Sequence, residues 1–79
     1  MKLNIISPEK RLFEGEIERV NLPGTLGSFT ILTHHAPIVS SLRQGTIVYL
    51  PMGGEEQSLV IKGGFVEMSD EVVDVCVEV

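Results

Sequence analysis

Disulfide chemistry has nothing to work with in this chain. Cys76 is its only cysteine, so no internal crosslink forms and a reducing compartment is the expected setting. Basic residues are scarce as well: six lysines and arginines stand against eleven acids, for a formal net charge of -5. Neutralising a phosphate backbone takes a basic patch, which excludes nucleic acid as a partner, and the same sign disfavours docking on anionic lipid. No apolar run approaches the length that crosses a bilayer, and the opening "MKLNIISPEK" has no small-residue cleavage site. A soluble, cytoplasmic protein with no direct lipid insertion is expected.

Long helical periods are also missing. Pro8, Gly15, Pro23-Gly24, Gly27, Pro37, Gly45, Pro51, Gly53-Gly54 and Gly63-Gly64 interrupt the chain at short intervals. Short segments between such breakers are the mark of an all-β sandwich or barrel. With 79 residues and 43% hydrophobic content, residues 1–79 form one domain with a packed but thin core. A domain of this size buries only about 60% of its unfolded surface, so a partner adds stability.

The segments agree with that class. In "EVVDVCVEV" Val73, Val75, Val77 and Val79 share one face, and Asp74, Cys76 and Glu78 the other. "KLNIIS" predicts a further strand, and "GTIVYL" and "SLVIKGGFVEM" predict more deeply buried ones. "IVSSLRQG" after Pro37 is the one candidate helix, and strand is the preferred assignment. In "GEIERVNLPG", Val20 and Leu22 are in phase while Ile17 is out of phase, which a bulge between Ile17 and Val20 reconciles. "MGGEEQ", Met52 to Gln57, predicts a hairpin loop.

Candidate chemistry is thin. "PGTLGSFTILTHHAP" opens with spaced glycines, but Ser28-Phe29 follows Gly27 where a phosphate loop needs Lys-Ser or Lys-Thr. A tight turn with positive φ at Gly24 or Gly27 accounts for the pair. His34 and His35 are adjacent, so on a strand they face opposite ways, and no third ligand accompanies them for a metal. His35 is expected to pack on a turn and bond the backbone. Glu14, Glu16 and Glu18 alternate as a solvated strand face. Lys62 in "VIKGG" is the one residue with an enzyme-related alternative. Lipoyl and biotinyl carrier domains are all-β with a modified lysine at a hairpin tip, although their Asp-Lys-Ala or Met-Lys-Met context is absent here. The chain contains no nucleophile elbow, and no catalytic, cofactor or metal residues are assigned.

The same opening stretch carries a family likeness. Gly24, Gly27, His35-Ala36-Pro37 and Leu42 to Gly45 resemble the pattern of the ε subunit of the F-type ATP synthase. In that family a Gly-x-x-Gly turn leads through an apolar strand to His-Ala-Pro, then Leu-x-x-Gly. "LNIISPEKRLFEGEIERVNLPG" resembles the family's first strand pair, and "IKGGFVEMSDEVVDVCVE" its glycine-pair hairpin and last strand. The resemblance implies a flattened β-sandwich of about ten short strands, without catalysis. It implies a place in the rotor's central stalk, coupling the membrane rotor ring to the γ subunit, on the cytoplasmic face of the cell membrane. By position, Leu26, Gly27, Ser28 and Phe29 are expected to meet the ring, and Ser7 and His35 to lie near γ. The family often carries Gly at Thr30 and Pro-Gly at Thr33-His34, so the loop backbone is expected to differ locally. Most ε subunits continue into a helical hairpin that restrains ATP hydrolysis and in some members binds ATP. If the chain naturally ends at Val79, it is expected to do neither.

Overall fold

In the structure, a computed structural model that describes all 79 residues, every regular element is a strand. The chain runs β1 (Lys2–Ile6), β2 (Arg11–Gly24), β3 (Gly27–Leu32), β4 (Ile38–Leu42), β5 (Gly45–Pro51), β6 (Gln57–Ile61), β7 (Gly63–Ser69) and β8 (Val72–Glu78). Eight strands replace the expected ten or so, because β2 runs unbroken for 14 residues through two sheets.

That strand is the corner of the molecule. Its first half pairs antiparallel with β1, while Arg19 to Gly24 pairs with β3 and Ile17 to Asn21 with β5. The ladder to β5 slips between Ile17 and Arg19, and this is the bulge that the phase conflict requires. With one extra residue inserted, Ile17 and Val20 both reach the interior. Two layers result: β3-β2-β5-β6, and β1-β8-β7-β4 with β1 joined back to the start of β2. Such a strand switching sheets at a bend is how sandwiches close their corners.

Fifteen apolar side chains form the core between the layers, and no polar or charged residue is buried. Leu3, Ile5, Val66, Met68, Val73 and Val75 come from one layer; Val20, Leu22, Ile31, Ile47 and Ile61 face them from the other. Each such side chain contributes about 1.5–3 kcal/mol by leaving water. Tyr49 closes one margin with its ring 4.6 Å from that of Phe13.

Several sequence expectations need correction. Val79 lies beyond the end of β8 and is exposed, although Val73, Val75 and Val77 are buried as predicted. β5 and β6 are not deeply buried: each buries one face only, and Val60 on β6 is 70% exposed because it stands on the outer face, between Leu59 and Ile61 that face inward. Gly63-Gly64 is not a hairpin either. β6 pairs with β5, whereas β7 pairs with β4 and β8, so the glycine pair opens a crossover between layers. The hairpin on β7–β8 turns instead at Asp70-Glu71, with φ of 51° and 63°. A two-residue turn of that kind asks for positive φ at both central positions, which glycine usually advertises. Two acids in its place hide the turn from sequence inspection.

Candidate functional site

The tip of the β2–β3 hairpin is made by Thr25 and Leu26, with Gly24 paired to Gly27 across its base. Only Gly27 takes a positive φ, at 136°. Gly24 is required for a different reason: a Cβ there would sit 2.6 Å from the Gly27 carbonyl oxygen and 2.8 Å from the Phe29 ring. Phe29 therefore lies over a backbone without side chain and packs its ring on the core. Leu26 points the other way and is fully exposed. Leu26 is the one large apolar side chain of this tip that stays wholly in water.

The tip is braced from behind by the β4–β5 turn. Thr25 N–H donates to the Ser41 carbonyl at 3.1 Å, Arg43 N–H to the Pro23 carbonyl at 2.8 Å, and the Thr25 and Ser41 hydroxyls lie 2.8 Å apart. Arg43 Nη2 also reaches Ser28 Oγ at 3.3 Å. The loop cannot tilt without breaking bonds to a neighbouring strand.

Ser7 lies in the turn after β1, where its N–H donates to the Lys10 carbonyl and its hydroxyl faces the same oxygen at 3.2 Å. It lines an open groove of about 490 Å³. Ile6, Phe65, Cys76 and Val77 give the groove apolar walls, and Glu78 adds an acid. Phe65 is 56% exposed there, and Val39 on the adjoining β4 is 74% exposed.

Sheet register relates these places. The pairs Gly24–Leu42, Leu42–Gly64 and Gly64–Val77 put the hairpin tip at the same end of the molecule as the Ser7 groove. His35 sits at the opposite end, in the loop before β4, whose first residue Ile38 pairs with Met68 near the Asp70-Glu71 turn. Ser7 and His35 are thus not neighbours; the length of β1, roughly 13 Å at the usual rise per residue, lies between the two ends. Sequence reasoning could name both residues but not their separation.

His35 bonds backbone as expected, with Nδ1 2.6 Å from the Ala36 carbonyl oxygen and its N–H on Leu32, but the residue is exposed and is not packed on the turn as the sequence suggested. His34 turns to Glu71, so the two rings serve different partners. His34 has φ of 68°, a conformation costing a non-glycine residue about 1 kcal/mol or more. Glu71 Oε1 accepts its N–H at 2.6 Å and lies 3.3 Å from its Nδ1.

The acidic row is solvated and partly paired. Glu14 takes Lys2 at 3.1 Å and Arg11 at 2.7 Å, and Glu16 faces the Met1 amine at 3.2 Å. The Lys2 hydrogen bond, then the charges of Arg11 and Lys2, hold the Glu14 carboxyl below its ordinary range. Lys62 is exposed in the crossover, its N–H bonded to the Glu78 carbonyl, and does not crown a hairpin. No three His, Cys, Asp or Glu side chains converge.

Comparison with known proteins follows the same lines. Residues 1–79 match the family described as ATP synthase, Delta/Epsilon chain, beta-sandwich domain. An ATP synthase epsilon chain of Rhodopseudomonas palustris (strain BisB18) is 37% identical over 78 residues, covering 99% of this chain and 57% of the relative. One from Afipia carboxidovorans is 40% identical over 68 residues, covering 86% of this chain and 49% of that protein. The chain thus spans about half the length of these relatives. Among solved structures, it is similar to a chain of the Euglena gracilis mitochondrial ATP synthase, OSCP/F1/c-ring in rotational state 1. The TM-score is 0.87 and the identity 25%, over 95% of this chain and 48% of that one. A chain from the Tetrahymena thermophila mitochondrial ATP synthase central stalk and c-ring shares the fold, with TM-score 0.83 at 17% identity over 100% of this chain and 63% of that one.

Proposed function

From the premise that this chain belongs to the ATP synthase delta/epsilon β-sandwich family, we propose that it is a non-catalytic part of the rotor's central stalk. It joins the membrane rotor ring to the γ subunit and transmits rotation between them during ATP synthesis. It is held peripherally at the cytoplasmic face of the membrane through protein contacts, since its net charge of -5 opposes anionic lipid.

The observation that carries this function is the braced, fully exposed Leu26 at one end of a stiff two-layer body. The ring contact is assigned to that tip: Leu26, Gly27 and Ser28, with Phe29 anchoring it to the core. The γ contact is assigned to the outer face of β1-β8-β7-β4, from the Ser7 groove to His35. Ile6, Phe65 and Val39 are the apolar side chains this face leaves in water. A sandwich resists torque because 39 of its 48 backbone hydrogen bonds lie within its strand ladders, so deformation must break them together.

Calorimetric titration against purified γ subunit tests the assignment. One-to-one association at submicromolar Kd is the expected result, and no heat of binding with both partners folded overturns it. The carrier alternative at Lys62 loses its structural motive, because the lysine is not at a hairpin tip. Intact mass from a host able to lipoylate or biotinylate decides it, an unmodified mass excluding the carrier role.

A further inference from the structure

We propose that Glu71 is a positioning residue for the His35 loop, clamping that loop from the neighbouring β7–β8 turn so that it is preformed for docking. This deepens the function above, and rests on its assignment of His35 to the γ contact. Three non-glycine residues of the chain have positive φ: His34, Asp70 and Glu71. Two of the three are bonded to each other, although 37 positions apart in sequence. His34 is in a conformation that a non-glycine residue adopts only under restraint. The restraint within reach is the Glu71 carboxylate, whose Oε1 takes the His34 N–H and faces its ring nitrogen.

Glu71 is itself fixed. Its carbonyl accepts from Lys2 N–H at 2.9 Å, which ties the turn to β1. Its other carboxylate oxygen, Oε2, is shielded from solvent and has no hydrogen-bond partner, so Oε1 alone carries the bonding of this side chain. Leu32 closes the loop from the other side by accepting His35 N–H at 3.1 Å. One carboxylate therefore holds the point from which His35, Ala36 and Pro37 run into β4. A partner meeting that loop finds it already ordered and is spared the entropy of arranging it.

The clamp makes an unusual prediction: glycine at position 34 should make Glu71 dispensable, because glycine adopts positive φ without restraint. The test compares the parent chain, Glu71→Ala, His34→Gly and the double variant. Amide hydrogen exchange is read on each free protein, and Kd for γ is read by calorimetry. For Glu71→Ala, faster exchange at the His34 amide with unchanged β8 amides is expected, together with roughly tenfold weaker γ binding. That fold-change corresponds to about 1.4 kcal/mol. The double variant should bind within about twofold of the parent, a margin small beside that tenfold step. Unchanged His34 exchange in Glu71→Ala overturns the clamp, and changed exchange with unchanged Kd overturns its role in docking. Equal weakening in Glu71→Ala and the double variant also overturns it, since simple loss of stability would not be rescued by glycine. A parent chain that fails to bind γ instead defeats the functional assignment, while the exchange data still decide the clamp.

Discussion

Gly64 faces the carbonyl oxygen of Cys76 on the neighbouring strand with no room between them for a side chain. A Cβ at Gly64 would collide with that oxygen and approach the Val77 Cα to 3.0 Å, and the residue also has φ of 154°. Gly63, its neighbour, has ordinary room, the nearest atom being the Leu42 carbonyl oxygen at 3.6 Å. The glycine pair is therefore unequal. Gly64→Ala should destabilise by about 3 kcal/mol or more, since backbone must move, whereas Gly63→Ala should cost less than about 1 kcal/mol. Urea unfolding of the two variants checks this, and equal losses would contradict it.

Gly27 is needed for its dihedral angle alone. A Cβ there meets nothing within 4 Å, but its φ is 136°. Gly27→Val should therefore cost about 1–3 kcal/mol through the backbone. A thermal melt superimposing on that of the parent would show that this turn tolerates side chains.

Leu26 separates stability from association. It is fully exposed, so Leu26→Asp should change unfolding free energy by less than about 0.5 kcal/mol. The contact proposed for it with the rotor ring should weaken by roughly tenfold, or about 1.4 kcal/mol. Surface-immobilised ring and melting curves measure the two quantities. Retained affinity would move the ring contact off the hairpin tip.

Acid stability should carry the signature of Glu14. Its pKa is lowered from 4.5 by Lys2 and Arg11, so the ionised form is the one the fold favours. The contribution is present above about pH 4.5 and is lost as pH falls through the lowered folded value. Glu14→Gln should melt slightly below the parent at pH 7, and the two curves should converge in acid. Because the carboxylate is on the surface, added salt should shrink the difference at pH 7. A gap that widens in acid would reverse the sign of the argument.

Much of this was legible in the residues. The alternation of Val73, Val75 and Val77 named the buried face of β8, and the dense glycine and proline breaks left one short candidate helix, with strand preferred even there. Even the bulge in β2 was visible, since Ile17 and Val20 share an interior only if one residue is inserted between them, although the switch between sheets that it serves was not. The Asp70-Glu71 turn was illegible, because two acids there carry positive φ without the glycine that would announce it. The Gly63-Gly64 pair misled for the opposite reason: its glycines mark a close strand contact and a crossover rather than a reversal.

The sequence by itself determined an all-β domain, the buried face of its last strand and its acidic surface, and its motifs carried the family likeness. The first three follow from local period, turn chemistry and composition, which every short segment carries within itself. Only the tertiary structure decided which sites are neighbours. It set the Leu26 tip at the same end as the Ser7 groove, sent His35 to the far end, and brought Glu71 onto His34. Those relations depend on strand order and register, which come from burying both sheets against each other at once and are contained in no single stretch of chain.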